Sequence, residues 1–426
     1  RALPAKVGSA VWCAVVLDNR EAVSIGHRCM GAALSSRQRL DKALGAQFPE
    51  NERYFGLENF GNTCYANSVL QALYFCKPLR ERAIAHSARQ REAEDCVDET
   101  LLEALCDLFN TISTQKKRCG VTAPKKFVQR LRAENQVFNN QMHQDAHELL
   151  NYLLNEMAEI LEKRNKNAVG AVEADHVHVA ASAASGGTCN DAAGGSSTDG
   201  GEYVCKTWIH SIFEGLLVNE TRCLGCDKVT SRDESFLDLS LEIEQNSSVA
   251  ESLRNFSANE SMRADNKFFC DCCLSLQEAH KRMRIKRLPN VLALHLKRFK
   301  YIEQLQRFKK LSYRIAFPFE MQVPAEVCGA AVDYERQYTL FAVIVHAGSG
   351  PNHGHYVALV RSHQHWLCFD DDEVSLIDEA QLQTYFGSAQ DTAASTETGY
   401  LLFYQAETWD SSADPTLASE PWQAHS

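Results

Sequence analysis

Apolar residues recur at helical spacing in the first part of the chain. One stripe predicts a helix over residues 65–75 and consists of Tyr65, Val69, Leu70 and Leu73. A second stripe follows Gln144 at positions i, i+3, i+4, i+7 and i+8, namely Ala146, Leu149, Leu150, Leu153 and Leu154. Residues 57–160 are therefore predicted to be largely helical, with one face of each helix in a core.

The pattern changes after residue 207, where extended apolar or alternating segments dominate. The predicted strands cover residues 212–219, 236–243, 283–287, 291–299, 338–345, 356–360 and 400–404. Helices first and strands later predict an α+β fold.

Three segments lack such patterns. Residues 167–201 are rich in Ala, Gly, Ser and Thr and bury too little to fold, so we expect a disordered insertion. We expect residues 1–46 to form a disordered N-terminal extension and the polar residues 408–426 to form a loose tail. The chain begins at Arg1 rather than at a methionine, and we expect it to be a fragment.

The charge balance narrows the class of partner. The chain has 44 basic and 55 acidic residues, a net charge of −11, which disfavours a general nucleic-acid binder and favours a basic partner. Basic runs at residues 281–287 and 297–310 are expected to be solvated faces of strands rather than an RNA or membrane patch. No segment approaches the length of a membrane-spanning helix. We therefore expect neither nucleic acid nor a membrane as partner.

Cys64 is the first candidate for chemistry. It stands at the start of the predicted helix over residues 65–75, with Asn62 or Thr63 as the expected cap. A helix N-terminus lowers the pKa of a thiol, because unpaired N–H groups and the dipole favour the thiolate. This position predicts a nucleophile.

His355 and Asp370 are placed to assist such a nucleophile. His355 lies where the glycine-rich residues 348–354 enter a predicted strand, and Asp370 ends the next one. A hairpin between the two strands would bring the carboxylate to the imidazole, fixing its tautomer and stabilising its charged form. The competing bases are His353, His346 and His147, of which His353 is the most serious.

A second constellation is a pair of Cys-x-x-Cys knuckles. The four cysteines are Cys223, Cys226, Cys270 and Cys273. Their spacing is that of a closed, structural Zn²⁺ site. Cys272 offers a competing pair with Cys270, and free thiols or a disulfide are the alternative states.

Three motifs resemble the ubiquitin-specific proteases, which are papain-like cysteine deubiquitinases. In chain order they are Gly-Leu-x-Asn-x-Gly-Asn-Thr-Cys-Tyr-x-Asn-Ser at residues 56–68, Gln-Asp-Ala-His-Glu-Leu-Leu at 144–150, and Gly-His-Tyr at 354–356 with Phe-Asp-Asp-Asp at 369–372. The resemblance spans residues 47–405 and is strongest to short members that WD40-repeat proteins activate. Residues 278–283, 292–301 and 345–352 carry that closer likeness.

The resemblance implies a fold with a helical thumb, a β-rich palm and zinc-bound β fingers. The implied catalytic domain covers residues 47–407, with its thumb at 57–165, fingers at 207–290 and palm at 291–407. The implied zinc ligands, which tie the tips of the fingers, are Cys223, Cys226, Cys270 and Cys273.

The resemblance also implies the reaction, hydrolysis of isopeptide and peptide bonds at the C-terminal glycine of ubiquitin. Cys64 would be the nucleophile, His355 the general base and Asp370 the third member of the triad. Asn59 would hold the oxyanion, and Asp371 is a candidate to support Asn59.

The implied partners are ubiquitin, ubiquitinated proteins and WD40-repeat activators that dock on the fingers, with low turnover in their absence. We expect a cytoplasmic or nuclear location, or both. Asp145 and Glu148, three residues apart near the cleft, are hypothesised to pair with the arginines of the ubiquitin tail.

Two other functions remain open. The first is a catalytically weak ubiquitin-binding protein, against which the presence of every triad residue counts. The second is a zinc-dependent interaction or nucleic-acid module, which predicts that Cys64 is dispensable and that binding weakens steeply with salt.

Overall fold

The computed structural model describes residues 36–45, 48–92, 99–140, 142–180, 207–329, 335–351, 353–389 and 397–410, with backbone alone at 168–180. The helices of this part of the chain are α1 (Ser36–Leu44), α2 (Cys64–Phe75), α3 (Lys77–Glu92), α4 (Leu101–Ser113), α5 (Lys125–Glu134), α6 (Ala146–Ala180), α7 (Trp208–Phe213) and α8 (Val249–Phe256). No helix among these residues is long and apolar enough to cross a bilayer.

The strands of the described residues fall into two groups along the chain. Before residue 290 they are β1 (Tyr54–Leu57), β2 (Cys119–Thr122), β3 (Gly215–Cys223), β4 (Val229–Phe236), β5 (Leu239–Leu241), β6 (Ser247–Ser248), β7 (Glu260–Met262), β8 (Phe268–Cys270), β9 (Ser275–Gln277) and β10 (Ala279–Arg287). After it they are β11 (Val291–Leu296), β12 (Phe299–Ile302), β13 (Arg307–Lys310), β14 (Ile315–Ala316), β15 (Glu320–Gln322), β16 (Gln337–Gly350), β17 (His353–Ser362), β18 (His365–Asp370), β19 (Glu373–Ile377) and β20 (Glu397–Ala406).

The largest sheet of the described residues has eight strands. Its order is β19-β18-β17-β16-β20-β11-β5, and β15 adds to β16. Every residue of β11 is buried, as expected for a central strand covered on both faces. Helix α2 packs directly on β16, β17 and β18 and also contacts α6, so it is buried from Cys64 to Tyr74. The helical lobe and the sheet therefore meet along α2.

A second sheet forms a separate lobe with the order β4-β3-β10-β7. Strand β4 is exposed along most of its length, whereas β3 and β10 are mostly half-buried. The β8–β9 hairpin lies beside the knuckles at the tip of this sheet. The α+β class is thus confirmed, with helices before strands and the β-rich lobe inserted between them.

Several boundaries differ from those predicted. Residues 212–213 belong to α7 rather than to a strand, because Thr207 starts a helix with a reciprocal Thr207–His210 capping box. The strand expected over residues 236–243 is short, limited to Leu239–Leu241.

The segments expected to be disordered differ as well. Residues 36–44 form α1, whose Leu40 and Leu44 are buried against the core, so this end of the predicted extension is ordered by hydrophobic burial. Helix α6 continues to Ala180, into the predicted insertion. Residues 1–35, 181–206 and 411–426 lie outside the described part.

The basic run at residues 297–310 is only partly solvated. Arg298 is fully buried and donates to the carbonyls of Gly399, Leu311 and Tyr313. Lys310 is also buried, with Nζ 2.7 Å from the carbonyl oxygen of His346. These two cations fasten the β12–β13 hairpin to the main sheet, a role that alternation of charge did not predict.

Candidate active site

Cys64 is the first residue of α2, as the sequence predicts. Gly61 (φ +79°) and Asn62 (φ +54°) turn the chain through the left-handed region immediately before it. The cysteine is 1 % exposed and sits where the first-turn N–H groups of a helix have no partner within that helix. The turn thus places the Cys64 thiol at the N-terminus of α2.

The predicted side-chain cap of α2 is not formed. Thr63 occupies the N-cap position, but its hydroxyl accepts from the backbone N–H of Phe60 and donates to Asn59 Oδ1 at 3.4 Å. The backbone N–H of Thr63 also donates to Asn59 Oδ1, at 3.2 Å. Thr63 therefore fixes the amide of Asn59 instead of capping the helix.

His355 and Asp370 meet as the hairpin prediction requires. Strands β17 and β18 pair antiparallel, and His355 Nε2 lies 2.5 Å from Asp370 Oδ1. This leaves Nδ1 of the ring for Cys64. Hydrogen bonds to Asp370 and then to Cys64 raise the pKa of His355 to about 10. At neutral pH the imidazole is therefore held as the cation, which stabilises a thiolate beside it.

The rival histidines lie in other settings. His353 is the exposed first residue of β17, with Nε2 3.1 Å from Ser349 Oγ. His346 is 1 % exposed, and burial lowers its pKa to about 3. His147 pairs with Asp238 at 2.8 Å and stacks on His295. Of these histidines, His355 is the one bonded to both a carboxylate and Cys64.

Asp371 has a different set of bonds from its neighbour Asp370. Its Oδ2 accepts from Asn59 Nδ2 at 2.8 Å, and its Oδ1 accepts from Asn67 Nδ2 at 2.8 Å. Asn67 is a residue that sequence reasoning missed as a site residue, although it lies three positions after Cys64 within the quoted motif. The sequence signal that could have found it is its place in the cysteine motif, one helical turn after Cys64.

Asp145 and Glu148 line one cleft of about 900 Å³, together with Glu242, Glu244 and Lys300 among others. Asp145 precedes α6 rather than lying on it, and its Oδ1 accepts from the backbone N–H of His147 at 2.7 Å. Its carboxylate also accepts from the Tyr400 hydroxyl at 2.6 Å. Glu148, in the first turn of α6, is exposed. Asp145 thus has a structural task, whereas Glu148 faces solvent.

One wall of this cleft is the β12–β13 hairpin. Tyr301 and Phe308 pack edge to face across the hairpin with ring centroids 5.2 Å apart, and both line the cleft while staying half exposed. Pro351, in the loop before His355, also lines the cleft. The cleft is therefore bounded in part by this hairpin and by the loop that leads to His355.

The four knuckle cysteines converge at the tip of the second sheet. Their sulfur atoms all lie within 4.8 Å of one another, with Cys223–Cys273 at 4.0 Å and Cys226–Cys270 at 3.6 Å. Four thiolates bound tetrahedrally at about 2.3 Å would stand about 3.8 Å apart, so this donor set fits a zinc ion. Cys272 is exposed and lies outside the cluster.

The same distances exclude the disulfide alternative. A sulfur separation of 3.6 Å is far beyond the roughly 2.0 Å of an S–S bond. All cysteines of the described residues are free. The cluster is therefore a set of four thiols that could hold a metal ion.

The basic run at residues 281–287 is balanced by acids of the neighbouring strands. Three ion pairs do so, Arg284–Glu220, Lys286–Asp233 and Arg287–Glu214. The prediction of a strand face rather than a nucleic-acid patch agrees with this pairing.

A family model described as ubiquitin carboxyl-terminal hydrolase matches residues 55–404. That span includes Asn59, Cys64, the four knuckle cysteines, His355 and Asp370.

Two curated relatives match nearly their whole length. Ubiquitin carboxyl-terminal hydrolase 4 of Arabidopsis thaliana is 56 % identical over 377 residues, covering 88 % of this chain and 99 % of that protein. Ubiquitin carboxyl-terminal hydrolase 12 of Salmo salar is 49 % identical over 378 residues, covering 88 % of this chain and 95 % of that protein.

Among solved structures, the SAGA Ubp8/Sgf11/Sus1/Sgf73 DUB module bound to ubiquitin aldehyde has the same fold, with a TM-score of 0.62 and 24 % identity over 85 % of this chain and 71 % of that chain. The module with Ubp8(C146A) bound to monoubiquitin gives a TM-score of 0.61 and 25 % identity over 85 % of this chain and 71 % of that chain.

Proposed function

Since this chain belongs to the ubiquitin carboxyl-terminal hydrolase family and is a thiol-dependent deubiquitinase, we propose that Cys64, His355 and Asp370 are its catalytic triad. The observation that carries this assignment is the 2.5 Å hydrogen bond between His355 and Asp370, with the same imidazole next to Cys64 at the start of α2. A cysteine, a base and an orienting carboxylate in this order are the parts of thiol catalysis.

The reaction begins from the Cys64 thiolate, whose proton the His355 imidazolium already holds. The thiolate then attacks the carbonyl carbon of the C-terminal glycine of ubiquitin, and the C=O electron pair moves onto oxygen. His355 returns the proton to the lysine amine as the isopeptide C–N bond breaks. Water, deprotonated by His355, hydrolyses the resulting thioester and releases a carboxylate.

Asn59 provides an N–H group for the oxyanion. Its Oδ1 accepts from Thr63 and its Nδ2 donates one hydrogen to Asp371, so the amide is fixed at both ends and its second N–H can donate elsewhere. Such a preorganised donor costs no reorganisation when the charge develops, and losing one costs about 10²–10³-fold in kcat. These bonds favour the proposal that Asp371 holds the Asn59 amide in position.

The cleft beside the triad fits a basic tail. Asp145, Glu148, Glu242 and Glu244 line it, which supports binding of the arginines that precede the Gly-Gly end of ubiquitin. Because Asp145 also holds Tyr400 and the start of α6, Glu148 is the cleaner residue with which to test the pairing.

We expect the chain to cleave ubiquitin joined through its C-terminal glycine to a lysine side chain, releasing ubiquitin with a free carboxylate. Glu148→Lys should raise KM for this conjugate about fivefold and leave kcat unchanged, because an exposed attraction becomes a repulsion. Mass spectrometry of the products identifies the bond that is cleaved, and steady-state kinetics measures KM and kcat.

The matched control is Glu159→Lys on the same helix. Glu159 is exposed and pairs with Lys163 outside the cleft, so its reversal should leave KM unchanged. An equal rise in KM for both variants would show a general charge effect and remove the tail pairing.

Zinc is the metal that the fingers would hold. Cys223, Cys226, Cys270 and Cys273 would bind it as a closed site, supplying a cross-link between the β3–β4 knuckle and the β8–β9 hairpin. No position would remain open for catalysis, so its contribution is structural.

The tip of the fingers also supports docking of a WD40-repeat activator. Leu224, Phe269, Leu274 and Leu276 are exposed around the knuckles, with Leu274 77 % exposed. Soluble proteins rarely leave such side chains grouped without a partner. The identity of the partner rests on the resemblance to short proteases that such proteins activate.

We expect Cys226→Ser to lose the bound zinc and the stimulation by a purified WD40-repeat activator, while basal labelling by a thiol-reactive ubiquitin persists. Stimulation of the intact chain should be of the order of tenfold. Atomic absorption and labelling rates with and without the activator provide the readouts.

Cys272→Ser serves as the comparison, since Cys272 is exposed beside the cluster but not part of it. It should retain zinc and stimulation. Full basal activity of the wild type, or stimulation that survives loss of the metal, would contradict the proposal.

A reducing compartment suits this chain. The described cysteines are free, which supports a cytoplasmic or nuclear location. Fractionation of cells that express the tagged chain would test it.

A further inference from the structure

We propose that Asn67 is a positioning residue for oxyanion stabilisation, acting through Asp371 on Asn59. Asn67 lies on α2, one turn after Cys64, and is 2 % exposed. Its side chain bonds to the residue that orients Asn59 but not to Asn59 itself. The inference rests on the proposed function, because it assigns a role within that reaction.

The contacts of Asn67 all run to the walls of the oxyanion site. Its Nδ2 lies 2.8 Å from Asp371 Oδ1 and 3.3 Å from the carbonyl oxygens of Leu57 and Glu58. The last two carbonyls belong to the segment that leads directly into Asn59. One buried amide therefore joins α2 to both sides of the Asn59 site.

Asp371 links Asn67 to Asn59. Its two carboxylate oxygens are divided between Asn67 and Asn59, each at 2.8 Å. Its own backbone is held in the left-handed region (φ +50°), and its carbonyl accepts from the N–H of Leu57 at 2.7 Å. With the backbone fixed and one oxygen bound by Asn67, the direction of the other oxygen is set.

The position of the remaining Asn59 N–H follows from that direction. Asn59 is exposed, so its amide has little packing to hold it and depends on hydrogen bonds to Asp371 and Thr63. Without Asn67 the carboxylate can rotate, and Asn59 rotates with it. A misplacement of about 1 Å can cost up to 10²-fold in rate.

The chain contains a natural control one turn further along α2. Gln71 is also a buried amide, 3 % exposed, and its Nε2 donates to the carbonyl of Phe55 in β1 at 2.7 Å. It ties α2 to β1 as Asn67 ties α2 to the end of β1. Its side-chain hydrogen bond runs to Phe55 and not to Asp371, so replacing Gln71 removes a tie between α2 and β1 without touching Asp371.

The test compares Asn67→Ala with Gln71→Ala in the full chain. Asn67→Ala should lower kcat for a ubiquitin–lysine conjugate about 10- to 100-fold, leave KM within about threefold, and weaken ubiquitin aldehyde by the same factor as kcat. The aldehyde adduct carries an oxygen in the oxyanion position. Alkylation of Cys64 by iodoacetamide, which needs no oxyanion, should be unchanged. Gln71→Ala should lower Tm similarly but keep kcat and aldehyde affinity.

A double variant separates positioning from general loosening. In an Asn59→Ala background, Asn67→Ala should cause no further loss of kcat, because the donor it positions is gone. If Asn67→Ala does not fold, the isosteric Asn67→Asp should give the same loss of kcat and of aldehyde affinity. Equal effects of Asn67→Ala and Gln71→Ala on kcat, or a full effect without Asn59, would overturn the inference. Absence of any conjugate cleavage by the wild type would instead refute the proposed function.

Discussion

Replacing Cys64 with Ala is expected to reduce hydrolysis of ubiquitin conjugates by about 10⁴-fold or more and to abolish labelling by a ubiquitin that carries a C-terminal thiol-reactive group. Alanine removes the atom that forms the thioester, and neither His355 nor Asn59 can substitute for it. Binding of ubiquitin itself should persist, since the cleft residues are untouched. Single-turnover hydrolysis, labelling and calorimetric binding measure the three effects.

Cys76→Ala is the matched control at the other end of the same helix. Cys76 is the C-cap residue of α2 and is 1 % exposed, and burial raises the pKa of its thiol to about 12. Its replacement creates a small cavity and should lower stability by about 1 kcal/mol, with kcat unchanged. Retained turnover in Cys64→Ala, or equal loss in both variants, would refute Cys64 as the nucleophile and favour a zinc-dependent binding module.

Local sequence signals were sufficient for the parts of the site that depend on one element or one hairpin. The apolar stripe placed Cys64 at the start of a helix, which is where the structure has it. His355 and Asp370 were predictable as neighbours because β17 and β18 are consecutive strands, and a short hairpin leaves few possible registers. The paired cysteine knuckles likewise brought four thiols to one tip.

The parts that were missed depend on contacts between distant segments. Three successive aspartates begin at the last residue of β18, and local pattern alone does not distinguish Asp370, which binds His355, from Asp371, which binds two asparagines. The family resemblance supplied that distinction. The left-handed backbone at Asp371 turns its side chain away from the direction of the Asp370 side chain. Asn67 could not be assigned to the site without knowing that this turn packs on the start of α2.

The sequence analysis also failed to predict which charged side chains are buried. Arg298 and Lys310 lie in a run that alternates as a solvated strand would, yet both are buried. Their donors are matched by backbone carbonyls of distant strands, so the cost of burial is offset by hydrogen bonds that no local pattern encodes. In the same way Asp145, chosen for its charge, proved to hold Tyr400 and the first turn of α6.

Asp370→Asn is expected to lower kcat/KM about 10²- to 10³-fold and to move the alkaline limit of activity toward neutral pH. The bond to Asp370 is the largest cause that raises the pKa of His355 to about 10, so its loss returns that pKa toward the ordinary value of about 6.5. Since the folded-state pKa is the higher one, the stabilisation from this pair is complete below pH about 6.5 and is lost as pH rises through about 10. The imidazolium that supports the thiolate disappears over the same range.

Asp371→Asn is the neighbouring comparison that separates orientation of His355 from support of Asn59. It should lower kcat through Asn59 while leaving the alkaline limit of kcat/KM where it is in the wild type, because Asp371 does not bond to His355. The full profile of kcat/KM against pH, recorded from pH 5 to 10.5 for the wild type and both variants, measures the limits. An alkaline limit that shifts with Asp371→Asn and not with Asp370→Asn would exchange the two assignments and make Asp371 the residue that controls the charge of His355.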